Sequence, residues 1–160
     1  EKETGVTLYL LDEKMDHGPI VAQTKLPLSN SINYRSLQED LALRGGALLT
    51  EILPKFLAGK VTPEIQNETL ATFTKKFSSG DGFVDQETLM EAQNGGHVAS
   101  AVERKIRALN PEPGIYTLDA QGKRVKLLEA EIVDGKLKLK KIQREGKQPI
   151  VIVNNENFLE

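Results

Sequence analysis

The sequence contains no cysteine. That excludes a disulfide framework, thiolate metal sites and a thiol nucleophile. It has no run of about 18 apolar residues, so no transmembrane helix and no membrane partner are expected. No secretory signal peptide opens it, and a cytoplasmic location is the expectation. Neither sign of charge dominates: 21 Lys and Arg face 23 Asp and Glu, for a net charge of -2. Nothing global therefore points to nucleic acid or to a membrane surface. The two histidines, His17 and His97, lie far apart in the sequence and neither sits in a ligand cluster, so no metal is expected.

What is present is ordinary for a globular protein: 39% apolar and 28% charged residues in a chain of 160. That length suits one domain or two small ones. The first residue is Glu1, and a strand-like segment follows almost at once, as expected of a chain cut within a longer protein. Val6–Leu11 (VTLYLL) is a short apolar run rich in β-formers and reads as a buried strand. Asp12–Pro19 is a polar loop ending in Gly-Pro, and Ile20–Leu28 reads as a second strand that Pro27 confines to an edge or an end.

Ser29 to Ser31 offer N-cap candidates for the clearest helix. Leu37, Leu41, Leu48, Leu49, Ile52, Phe56 and Leu57 form its apolar stripe. Gly45 and Gly46 predict close packing or a kink, and Gly59 predicts the stop. Residues 61–77 lack a sustained period and read as a surface linker. Helical runs follow over Gln86–Lys105, broken at Gly95–Gly96, with Val102, Ile106 and Leu109 on one face of the second. Asn110–Gly114 (NPEPG) ends that helix. Strands are predicted at Ile115–Leu118, Arg124–Val133, Lys136–Gln143 and Pro149–Val153, with DAQGK and VDGK as hairpin turns. Short antiparallel strands after a helix suggest a small barrel or curled sheet.

Two constellations carry chemistry. The first is the loop Asp12-Glu13-Lys14-Met15-Asp16-His17-Gly18-Pro19, with two carboxylates four apart between strands. A loop at a strand end of an α/β sheet is a ligand-binding position; a solvated acidic turn gives the same local pattern. The second is basic. Residues 123–147 hold Lys123, Arg124, Lys126, Lys136, Lys138, Lys140, Lys141, Arg144 and Lys147 against four acids, Glu129, Glu131, Asp134 and Glu145. Lysines on one strand face can track phosphates. They also serve to block edge-to-edge aggregation.

Four segments, in order, resemble the methionyl-tRNA formyltransferase family within the 10-formyltetrahydrofolate-dependent formyltransferases. They are TGVTLYLLDEKMDHGPIVAQ, ETLATFTKKFSSGDGFVD, IRALNPEPGIYT, and LKLKKIQREGKQPI with the closing NFLE. The resemblance covers nearly the whole chain and corresponds to the family's C-terminal half.

It implies an α/β remnant in residues 1–60, the last strands and helix of a Rossmann-like catalytic domain. A linker at 61–77 and an OB-like β-barrel in 78–160 would follow. It assigns Asp16 to the family's catalytic aspartate, which works beside an Asn and a His earlier in the family's sequence. It places Asp12, Glu13, Lys14 and Met15 around the pterin end of 10-formyltetrahydrofolate, the co-substrate. His17 replaces a Thr or small residue of the family and is not assigned a catalytic role. The implied partners are initiator tRNA and an N-terminal half of the catalytic domain. The tRNA would lie on Lys123, Arg124, Lys126, Lys136, Lys138, Lys140, Arg144 and Lys147. Tyr116 is the only aromatic near that stripe, so base stacking is expected to be minor.

This chain departs from the family pattern at Glu112, where Trp is frequent, in a longer segment before the second of the two later helices, and in a shorter stretch before the last strands. Two other functions fit the same residues: formyl transfer to a sugar nucleotide or another amine, and non-catalytic RNA binding. An inactive Asp16→Asn enzyme separates the catalytic readings from the last.

Overall fold

A computed structural model describes residues 1–152. The chain divides into two units, Glu1–Thr74 and Lys75–Glu160.

In the first unit, β1 (Glu3–Tyr9) and β2 (Ile20–Pro27) pair antiparallel, with Val6 opposite Thr24. The first strand starts earlier than predicted and stops at Tyr9. The register slips between Leu8 and Tyr9. Beyond that slip, Leu10 is held by its N–H donating to the Pro19 carbonyl at 2.9 Å, which closes the loop that follows. Gly18 is required there. A Cβ at that position would lie 1.7 Å from the Leu10 carbonyl oxygen.

Helix α1 spans Tyr34–Leu57. Its N-cap is Asn33, not Ser29 or Ser31. Asn33 Oδ1 accepts from the Ser36 N–H at 2.9 Å, and the Asn33 N–H donates to Ser36 Oγ at 3.4 Å. This reciprocal pairing satisfies two donors at the helix start. Ser29 and Ser31 bond to each other through their hydroxyls at 3.3 Å. Leu37, Leu41, Gly45, Leu48, Ile52 and Phe56 recur every three or four residues and are half-buried. Leu49 and Leu57, expected in the stripe, are 47% and 75% exposed. The helix runs through Gly45 and Gly46 without interruption. A Cβ at Gly45 would come within 3.3 Å of Val6 Cγ1, so the glycine serves close approach to β1 and not a kink. The chain leaves the helix at Gly59, at φ +67°.

The segment read as a linker begins inside this first unit. Ile20 and Glu64 exchange both backbone hydrogen bonds, at 2.7 and 2.8 Å, so the chain returns beside the start of β2.

In the second unit, a helical turn at Ser79–Gly82 precedes α2 (Gln86–Asn94) and α3 (His97–Leu109). Asp85 caps α2 by accepting from the Thr88 N–H at 2.7 Å. The break between the helices falls at Gly95 and Gly96, both at positive φ, as the sequence predicts. Strands β3 (Tyr116–Leu118), β4 (Arg124–Val133), β5 (Lys136–Arg144) and β6 (Ile150–Val151) form an antiparallel meander in that order. Ala99, Val102, Ile106 and Leu109 of α3 share one core with Val125, Leu127, Leu137, Leu139 and Ile142 of the sheet.

Asn110 does more than end α3. Its Nδ2 donates to the carbonyls of Leu127 (2.8 Å) and Leu128 (3.2 Å). Those lie where β4 loses register with β5, between Leu127 and Glu129, so the side chain reaches the backbone at this irregularity. The expected OB-like barrel is not found as a closed sheet among the described residues. The flanking strands β3 and β6 are three and two residues long and pair within the sheet with β4 and β5 respectively, and β3 also forms a single parallel bridge from Tyr116 to Phe83. Val153 and the closing NFLE lie outside the described residues.

Candidate functional site

The β1–β2 loop brings its polar residues into one network. Asp16 adopts φ +55°, a left-handed conformation that Asp tolerates better than most residues. Its Oδ1 accepts a hydrogen bond from the Tyr9 hydroxyl at 2.8 Å. The carboxylate is exposed, and Tyr9, at the end of β1, aims it. This bond, then partial burial, then the charges of Asp16 and Asp12, raise the Tyr9 pKa above its ordinary value. A phenolate there would lose the bond and set like charges together.

Asp12 and His17 clasp the loop from within. His17 Nδ1 and Asp12 Oδ2 are 2.5 Å apart, and His17 Nε2 is 3.2 Å from Glu68 Oε1. Asp12 Oδ1 also accepts from the Lys14 N–H at 2.9 Å. The His17 bond, followed by the Lys14 amide, lowers the Asp12 pKa. Gln66 completes the arrangement. Its Nε2 donates to the main-chain carbonyls of Asp16 (2.9 Å) and Gly18 (2.7 Å).

The structure therefore joins Asp12 to Asp16 through one loop, while Glu13, Lys14 and Met15 stand exposed at its tip, Met15 at 90%. The His17 ring nitrogens face Asp12 and Glu68. Tyr9, Gln66 and Glu68 were not singled out from sequence. Tyr9 left a faint signal, a hydroxyl at the end of an apolar strand beside an acidic loop. Gln66 and Glu68 left none, because both lie in the aperiodic segment and reach the loop only through the backbone pairing of Glu64.

The basic residues fall into several groups along the sheet. Lys136 and Lys138 are exposed on β5. Lys140 is paired with Glu131 at 3.2 Å and Lys141 with Glu129 at 3.3 Å, across the β4–β5 ladder. Lys123 lies in the β3–β4 turn, where its N–H donates to Asp119 Oδ1 at 2.8 Å. The positive charge gathers at the other end of the ladder. Arg124, Lys126 and Arg144, with Gln143, Glu145 and Gly146, line a recess of about 320 Å³. Lys147 is exposed in the adjoining turn, held by Gln143 Nε2 donating to its carbonyl at 2.9 Å. Arg124 lies over the ring of Tyr116, 4.3 Å from its centroid. Tyr116 in turn contacts Phe83, centroid to centroid 5.4 Å, at 43°. Tyr116 is thus not the only aromatic at this end of the sheet, as the sequence suggested.

Residues 96–159 match the family model described as the formyl transferase C-terminal domain. Over most of its own length it is homologous to methionyl-tRNA formyltransferases. It is 39% identical over 134 residues to that of Kosmotoga olearia, covering 84% of this chain and 40% of that protein. It is 33% identical over 163 residues to that of Lactococcus lactis subsp. lactis, covering 100% of this chain and 48% of that protein. The chain thus spans less than half the length of these curated relatives. Among solved structures, HypX from Aquifex aeolicus in complex with tetrahydrofolic acid superposes with a TM-score of 0.68. That match covers 95% of this chain and 29% of that one at 21% identity, a likeness of fold alone.

Proposed function

We propose that this chain contributes Asp16 and a tRNA-binding surface to formyl transfer from 10-formyltetrahydrofolate to the amino group of methionyl-initiator tRNA. The attacking amine forms a bond to the formyl carbon. The bond from that carbon to the folate nitrogen then breaks, and the proton shed by the amine ends on the folate nitrogen. Asp16 acts on that proton, taking or orienting it as the ammonium develops. The oxyanion of the tetrahedral intermediate needs hydrogen-bond donors. The family resemblance assigns those to an Asn and a His outside the matched positions of this chain. Asp12, Glu13, Lys14 and Met15 would border the folate, with the His17 clasp and Gln66 fixing the loop they share.

The observation that carries this reading is the Tyr9–Asp16 hydrogen bond at 2.8 Å. It orients the carboxylate matched to the family's catalytic aspartate, in a chain 39% identical to a methionyl-tRNA formyltransferase. The recess at Arg124, Lys126 and Arg144 supplies positive charge for tRNA phosphates.

The test joins the N-terminal portion of the Lactococcus lactis relative to this chain and assays formylation of methionyl-initiator tRNA. Activity is expected in the joined protein, with a loss of about 100-fold or more on Asp16→Asn. Unchanged turnover in that variant removes Asp16 from the chemistry. Robust turnover by the chain alone overturns the dependence on a separate Asn and His.

A further inference from the structure

The recess beside β4 and β5 has an organisation that phosphate contact alone does not require. Arg124 is fixed on two sides. Its guanidinium lies 4.3 Å from the Tyr116 ring centroid, and its Nη1 donates to Ser79 Oγ at 3.4 Å. Tyr116 in turn contacts Phe83 in a tilted arrangement, at 43°. Arg124 thus lies over Tyr116, Tyr116 meets Phe83 at a tilt, and Arg124 lines the recess. An arginine already held over an aromatic ring loses little conformational freedom when another planar group stacks upon it. Lys126 and Arg144 line the same recess and bring two further cations, against the single acid Glu145. Further along the ladder, Lys140 and Lys141 are paired with glutamates. A planar cationic platform flanked by point charges matches one nucleotide, base on the platform and phosphate beside it.

We propose that this recess is a subsite for a single unpaired nucleotide of RNA, its base stacked on the Arg124 guanidinium and its phosphate held by Lys126 and Arg144. The base must be unpaired, because a base within a duplex keeps both faces covered by its neighbours. The exposed Lys136 and Lys138 on β5 favour a polynucleotide over a free nucleotide, since they offer charge for phosphates beyond the recess. This subsite rests on the tRNA-binding reading and specifies which part of an RNA is recognised there.

The experiment measures binding of the full 160-residue chain to three probes across a salt series. They are a short single-stranded RNA, a blunt RNA duplex of the same length, and AMP. Arg124→Lys keeps the charge and removes the plane. It is expected to weaken single-stranded RNA binding about tenfold with the salt slope unchanged, and to alter duplex binding less than about twofold. AMP is expected to bind far more weakly than the single strand. Equal losses on single strand and duplex, or no loss, overturn the stacking subsite while leaving RNA binding standing. AMP binding as tightly as the single strand overturns the polynucleotide assignment. Absence of RNA binding by the unmodified chain overturns the tRNA reading and the subsite with it. A second measurement does not depend on the variant folding: NMR signals of the Tyr116 ring and Arg124 Nε–H in the unmodified chain should shift with single-stranded RNA. Unmoved signals at saturation overturn the proposal.

Discussion

Tyr9 and Asp16, at opposite ends of the turn out of β1, are joined by a hydrogen bond of 2.8 Å from phenol to carboxylate. The bond ties the last residue of a strand to the one side chain in the chain with the strongest claim on chemistry. It also makes Tyr9 a reporter on Asp16. The Tyr9 pKa is raised, first by this bond. Tyr9 should therefore titrate above the ordinary tyrosine value of about 10. In Asp16→Asn its midpoint should fall toward that value. NMR titration of the three tyrosine rings resolves Tyr9 from Tyr34 and Tyr116. By linkage, a group whose folded pKa is raised gives stability that is complete below the unfolded value and lost as pH rises through the folded one. Tyr9 thus disfavours the folded loop only in strong alkali.

Gln66 donates to two main-chain carbonyls of the site loop, 50 and 48 residues away in sequence. Replacing Gln66 by Glu substitutes acceptors for that donor with little change of shape, and turns both contacts repulsive. The first unit is expected to lose about 1 kcal/mol or more of stability. Amide exchange across residues 12–18 should accelerate, while β4 and β5 keep their protection. Unaltered exchange in the loop would show that Gln66 does not hold it.

Asp12 behaves with the opposite sign to Tyr9. Its pKa is lowered, first by His17 and then by the Lys14 amide. Its contribution to loop order is complete above the unfolded value, near 3.9, and is lost as pH falls through the lower folded value. The Lys14 amide signal should shift as Asp12 protonates, at a pH below that of an unpaired Asp. His17→Ala should move this midpoint upward. The site is exposed, so the effect should shrink with added salt.

Thr117 is fully buried in β3, and its Oγ1 finds no hydrogen-bond partner among the described residues. A buried hydroxyl without a partner costs stability, while a methyl of the same shape does not. Thr117→Val is therefore expected to stabilise the second unit by about 1 kcal/mol, read from its denaturation midpoint. A destabilised variant would reveal a partner for the hydroxyl.

Several elements were legible from residue pattern. The bounds of β4, the break at Gly95–Gly96 and the α3 face of Val102, Ile106 and Leu109 follow from local alternation, positive-φ glycines and helical spacing. The Asn33 cap was missed because Ser29, Ser31 and Asn33 are all competent caps. Only the point at which the chain turns helical selects among them. Leu49 and Leu57 were placed in the stripe by spacing, yet the sheet beneath α1 has only two strands and covers only the face centred on Leu41, Leu48 and Ile52.

The sequence by itself determined the kind of loop that bears Asp16, the strands that flank it, and the surplus of positive charge between residues 123 and 147. Those depend on residue type and on neighbours a few positions away. The tertiary structure decided which groups touch Asp16 and which lysines remain available to a ligand. Gln66 and Glu68 reach the loop because Glu64 pairs with Ile20, and Lys140 and Lys141 are matched to glutamates by the register of β4 on β5. Such pairings join residues remote in sequence, and only the backbone hydrogen bonds between strands set their register.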